Sequence, residues 1–186
     1  DGNNLVLGDE TGRASHVLSK FNRLTTVATP MPGAARSVAQ LDTDLRDIWL
    51  SPRFQLVRMH PELLLRTSPA VQTLVEISRT PWSDSARSAP TAAHIQALGR
   101  RASAEGTVVL CTHLRWWAHG QPEALVEAMA EQFAWLQLWL PPSGADSLIL
   151  VASQRPPTLD RFLTQSNKHM QALRSLGFTS PADLAS

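Results

Sequence analysis

Gly8-Asp9-Glu10-Thr11-Gly12 is the segment whose residue types and spacing come nearest to a recognisable chemistry. It follows an apolar run, Leu5-Val6-Leu7, and leads into the helical-looking stretch "GRASHVLSKF". Strand, glycine turn and helix in that order aim backbone N–H groups and a helix N-terminus at a cofactor in many α/β proteins. Glycine is used in such turns because it accepts positive φ and lets the backbone approach a ligand. Here three polar residues, two of them acidic, stand between the glycines. The turn therefore reads either as a working cofactor loop or as what remains of one.

Other reactive side chains form weaker groupings. His113 and His119 flank "LRWWA" without helical i, i+4 spacing or a neighbouring carboxylate pair, so no metal site is expected. Cys111 and His113 share a strand face by the two-residue period, but no third group orients them as nucleophile and base. Cys111 is the single cysteine, which excludes an internal disulfide; within "GTVVLC" it reads as a small buried hydrophobe. Glu76 and His60 are the acid and base that an α/β arrangement would bring to one sheet edge, and they are the candidate catalytic pair.

Stepping outward, the elements that must position these groups alternate between strand-like and helical patterns, the sign of βαβ units and a parallel sheet. Strands are expected at 5–7, 24–28, 54–57, 71–77, 107–112, 135–140 and 148–152. The last two are joined only by "PPSGADS", too short for a crossover, so they should form an antiparallel hairpin. "GAARSVAQLDTDLRDIWL", "PTAAHIQALGRRAS" and "QPEALVEAMAEQFAWL" read as helices. In the third, Leu125, Met129 and Phe133 recur at i, i+4 and i+8 as a core stripe. Residues 79–90, "RTPWSDSARSAP", read as an irregular loop after a strand end, where open α/β sheets place their sites. The expected fold is α/β and Rossmann-like: a mostly parallel sheet ending in an antiparallel hairpin over residues 1–157, with a helical extension at 158–186.

Composition narrows the function classes. Lys+Arg 17 against Asp+Glu 16 gives a formal net charge of +1, which offers no long-range attraction to nucleic acid or an anionic membrane. No run approaches the roughly 18 apolar residues of a membrane span. The chain opens on Asp1 almost within its first core strand, which reads as a fragment or processed product. Six tryptophans stand against no tyrosine. Trp135 and Trp139 share a strand face and read as core or hairpin packing. Trp82, Trp116 and Trp117 follow strand ends and are candidates for a partner contact.

The order of these motifs resembles the spermidine synthase-like domains, with the fold shared by polyamine aminopropyltransferases and S-adenosylmethionine-dependent methyltransferases. It is most similar to the bacterial kind fused to a membrane-transporter-like half. "NLVLGDETGRAS" falls on the family's glycine-rich cofactor loop and "SPRFQLVRMHPELLL" on its third strand. "VQTLVEISRTPW" falls on the fourth strand with its proline-tryptophan pair, and "EGTVVLCTHLRWW" on the fifth. "FAWLQLWLPPSGADSLILVAS" matches the closing hairpin and "LRSLGFTSPADLA" the C-terminal ending.

The resemblance implies a site from which this sequence departs at each feature. Asp9 and Glu10 replace loop glycines, leaving Gly8, Asp9, Glu10, Gly12 and His60 as a vestigial cofactor site. The ribose-binding acid at the end of the second strand is replaced within "TTVATP" by Val27, Ala28 and Thr29. The adenine-side aspartate aligns with His60, and the catalytic acid with Ile77. Glu76 lies one residue earlier, where strand alternation turns it to the opposite face. The expectation is a degenerate, non-catalytic domain that binds no cofactor and serves as a scaffold or protein-interaction module. Its partner would be another protein or a membrane-embedded half of the same polypeptide, at a cytoplasmic, membrane-associated location. The alternative is a divergent aminopropyltransferase or methyltransferase using S-adenosylmethionine or its decarboxylated form.

Overall fold

Strand alternation sorts the apolar residues onto two faces of one sheet, and the two resulting cores define the layers. In the computed structural model, residues 3–9, 12–19, 24–28, 46–47, 50–77, 90–114, 117–118, 120–140 and 147–156 are described. The strands are β1 (Asn4–Leu7), β2 (Thr25–Ala28), β3 (Phe54–Val57), β4 (Val71–Ile77), β5 (Ala102–His113), β6 (Trp135–Trp139) and β7 (Ser147–Ser153). The helices among the described residues are α1 (Arg13–Ser19), α2 (Pro61–Thr67), α3 (Ala92–Arg101) and α4 (Gln121–Gln132). The sheet order is β3-β2-β1-β4-β5-β7-β6. Pairing is parallel from β3 through to β5 and antiparallel for β5–β7 and β7–β6. This is the seven-stranded Rossmann-like arrangement of S-adenosylmethionine-dependent methyltransferases.

The larger core joins Leu5, Leu7, Leu74, Val108 and Leu110 of the sheet to Leu64 and Leu65 of α2, Ile95 and Leu98 of α3, and Leu125 and Met129 of α4. The smaller gathers Val6, Val27 and Val75 with Ala14 and Leu18 of α1 around them. Residues one apart along a strand thus enter different cores. The Leu125, Met129, Phe133 stripe is core, at 1%, 0% and 3% exposure.

Two features were not legible in the sequence. α2 begins with Pro61 at its first turn, and its C-terminal carbonyls at Leu65 and Arg66 accept hydrogen bonds from the Arg101 guanidinium of α3. Those carbonyls would otherwise lack partners, so a seven-residue helix is held by a neighbour rather than by its own length. β5 also starts earlier than expected, at Ala102. Its register against β4 shifts between Val71↔Ala102 and Thr73↔Thr107. Gly106 permits that irregularity: a Cβ there would lie 2.8 Å from the Ser103 nitrogen and 2.9 Å from its carbonyl oxygen.

The helical reading at 33–50, apart from residues 46, 47 and 50, the helical reading at 158–186, and the loop at 79–89 lie outside the described residues. Among the described residues no helix is long and apolar enough to cross a membrane.

Candidate functional site at the carboxyl edge of the sheet

The ends of β1 and β4 lie side by side, Leu7 opposite Glu76, at the point where strand order reverses. Ligands of open α/β sheets bind at such a point. The turn after β1 has a left-handed residue at each end, Gly8 with φ 78° and Gly12 with φ 74°. A side chain would be strained in both places, which glycine avoids. The Gly8 N–H donates to the Ala28 carbonyl at 3.2 Å, tying the turn to the end of β2.

Asp9 does not stand open in that turn. It is 1% exposed, and its Oδ2 accepts hydrogen bonds from the Ser15 backbone N–H at 2.8 Å and the Ser15 hydroxyl at 2.6 Å. Ser15 lies in the first turn of α1, whose N–H groups have no carbonyl four residues back. The carboxylate supplies that acceptor and lies at the favourable end of the helix dipole. Its charge is turned inward onto α1. Glu10 lies outside the described residues.

Glu76 is the carboxylate near the end of β4. It shares a strand face with Leu74, on the side of α3, while Val75 and Ile77 belong to the α1 side. The register is continuous from Thr73 to Ile77, so no bulge re-aims it. Its Oε2 meets His94 Nε2 at 2.7 Å, both side chains 16% exposed. Glu76 and His60 were the candidate pair; the partner the structure gives Glu76 is His94. His60 precedes α2, is exposed, and makes no side-chain capping bond.

His94 is the residue that sequence reasoning missed. Thr91 caps α3 by accepting the His94 N–H at 3.2 Å, which places the imidazole in the first turn. Its spacing carried a signal: His94 is four residues before Leu98 and adjacent to Ile95, the two buried positions of α3. That stripe faces the same side of the sheet as Leu74 and Glu76. Burial disfavours the imidazolium, but the hydrogen bond to Glu76, that carboxylate's charge and the charge of Glu62 on α2 together raise the His94 pKa above its ordinary value.

The remaining candidates are dispersed. Val27, at the end of β2, is fully buried in the smaller core. Cys111 is partly buried, and burial pushes its thiol pKa up. His113 Nδ1 lies 3.0 Å from the Ser147 hydroxyl. Trp117 is partly buried and packs against the larger core; Trp82, Trp116 and His119 lie outside the described residues. Among the described residues no three His, Cys, Asp or Glu side chains are grouped to hold a metal ion.

Comparison with known proteins agrees with the fold. Human methyltransferase-like protein 13, solved in complex with SAH, superposes with a TM-score of 0.71 at 15% identity, over 93% of this chain and 82% of that one. A spermidine synthase in complex with the transition state analogue AdoDATO gives 0.71 at 14% identity, over 87% of this chain and 57% of that one. Spermidine synthase from Thermotoga maritima gives 0.69 at 15% identity, over 87% and 56%. The chain thus spans little more than half the length of these two synthases. No protein-family model and no curated protein matches the sequence. The likeness defines the class: a domain with the spermidine synthase and methyltransferase-like fold.

Proposed function

We propose that this is a degenerate spermidine synthase-like domain, non-catalytic, that serves as a scaffold or protein-interaction module. One observation carries the reading: Asp9 and Glu76, the carboxylates at the ends of β1 and β4, are both engaged by internal partners, Ser15 and His94. The residues around them do not fit an adenosyl group in the manner the resemblance implies. The end of β2 offers the buried side chains of Val27 and Ala28 where a ribose-binding acid is expected, and His60 replaces the adenine-side acid. Its partner in this reading is another protein or a membrane-embedded part of the same polypeptide, at the cytoplasmic face of a membrane.

A second reading, a divergent aminopropyltransferase or methyltransferase using S-adenosylmethionine or its decarboxylated form, is favoured by one observation. Gly8 and Gly12 retain the left-handed conformations of a cofactor turn. Thermal unfolding with each nucleoside separates the two. A ligand at about 100 times its Kd stabilises the folded state by about 2.7 kcal/mol. The non-catalytic reading predicts no rise in Tm at millimolar ligand; a rise of several degrees supports the transferase.

A further inference from the structure

β6 forms one end of the sheet, hydrogen-bonded to β7 alone. Its other side carries a row of backbone N–H and C=O groups that no strand of the sheet pairs. Proteins protect such an edge with charged residues, bulges or very short strands. β6 has none of the first two: the sequence holds no charged residue from Phe133 to Ala145, and the register of 135–139 against 149–153 is one for one. Its far end is apolar and open, with Leu138 49%, Trp139 48% and Leu140 69% exposed. Trp139, expected in core or hairpin packing, is half exposed at this edge.

The strand also reads the same in both directions: Trp135-Leu136-Gln137-Leu138-Trp139. We propose that two copies of this chain pair their β6 strands antiparallel about a twofold axis through Gln137, joining two seven-stranded sheets into one. In that register Trp135 faces the partner's Trp139, Leu136 the partner's Leu138, and Gln137 its own counterpart. Aromatic and aliphatic residues directly opposite each other are favourable cross-strand pairs. A carboxamide suits the axis because it carries both a donor and an acceptor, whereas any charged residue there would face its like. Pro141 and Pro142 follow at once, and proline has no N–H to extend the ladder. The contact is isologous, so each copy uses its one β6 edge and the assembly closes as a dimer.

Sedimentation of the full chain over roughly 5–500 μM tests this, since an interface this short is at the weak end of specific contacts. A concentration-dependent monomer–dimer equilibrium is expected. Gln137→Lys, at an exposed position, should weaken it at least tenfold without changing the circular dichroism spectrum. A second experiment tests the register. Directly opposed residues of antiparallel strands have Cα atoms about 4.5–5.5 Å apart, within disulfide range. In a Cys111→Ala background, Gln137→Cys should therefore cross-link two copies on mild oxidation. Gln96→Cys, on the exposed side of α3, should not. A chain that stays monomeric throughout, as it would if residues 157–186 or another protein cover β6, overturns the proposal. So does a dimer indifferent to Gln137→Lys, or cross-linking at 137 no faster than at 96.

Discussion

Glu76 Oε2 and His94 Nε2 meet at 2.7 Å, joining β4 to the first turn of α3 across eighteen residues of sequence. The contact lies near the carboxyl end of β4 and turns the carboxylate onto a helix. It accounts for the one histidine whose pKa is raised among the described residues.

That pair makes stability depend on pH with a definite sign. His94 binds its proton more tightly in the folded chain than in the unfolded one. Its contribution is therefore complete below the ordinary value of about 6.5 and is lost as pH rises through the higher folded value. Glu76→Gln removes a hydrogen bond to a charged group, a change of about 1.5–3 kcal/mol where both groups are mostly buried. Urea unfolding at pH 5.5 and pH 9 should show a larger deficit for the variant at the lower pH. A deficit that grows toward pH 9 contradicts the assignment.

Asp9 should prove to be a residue of stability rather than of binding. Asp9→Ala leaves the Ser15 N–H in the first turn of α1 without its acceptor, a loss of about 1–2 kcal/mol for a capping side chain. Ser15→Ala keeps the backbone donor and loses only the hydroxyl, so it should cost less. Chemical denaturation of both variants and the double variant gives the coupling. Equal or greater stability of Asp9→Ala would show that the contact contributes nothing.

Much of this fold is written in short-range patterns. The apolar run Leu5, Val6 and Leu7 marked the first strand, and "PPSGADS" was too short for anything but an antiparallel return. The Leu125, Met129, Phe133 spacing marked the buried face of α4. What could not be read locally depends on partners distant in sequence. α2 is held by Arg101, thirty-five or more residues away. Asp9 finds Ser15 only because the turn folds back, and Glu76 finds His94 only once α3 is laid on the sheet. The alternation rule placed Glu76 on the correct face, but nothing local named the imidazole waiting there.

The position of Val27 forbids the simplest repair of the site. The sequence suggests it as the place to restore a ribose-binding acid, yet it is fully buried beside Val6 and Val75. Val27→Asp would bury an unpaired carboxylate, so it should destabilise the chain by about 3 kcal/mol or more. Denaturant unfolding measures this directly. A variant as stable as the parent would mean that the end of β2 can open toward solvent.

The central claim is that the site edge no longer holds an adenosyl group, and isothermal titration with S-adenosylmethionine and with its decarboxylated form tests it most directly. With Asp9 on Ser15, Glu76 on His94 and no acid at Val27, neither compound should bind with a Kd below the millimolar range, about −4 kcal/mol. A Kd in the low micromolar range for either, about −8 kcal/mol, contradicts the claim and supports the divergent-transferase reading.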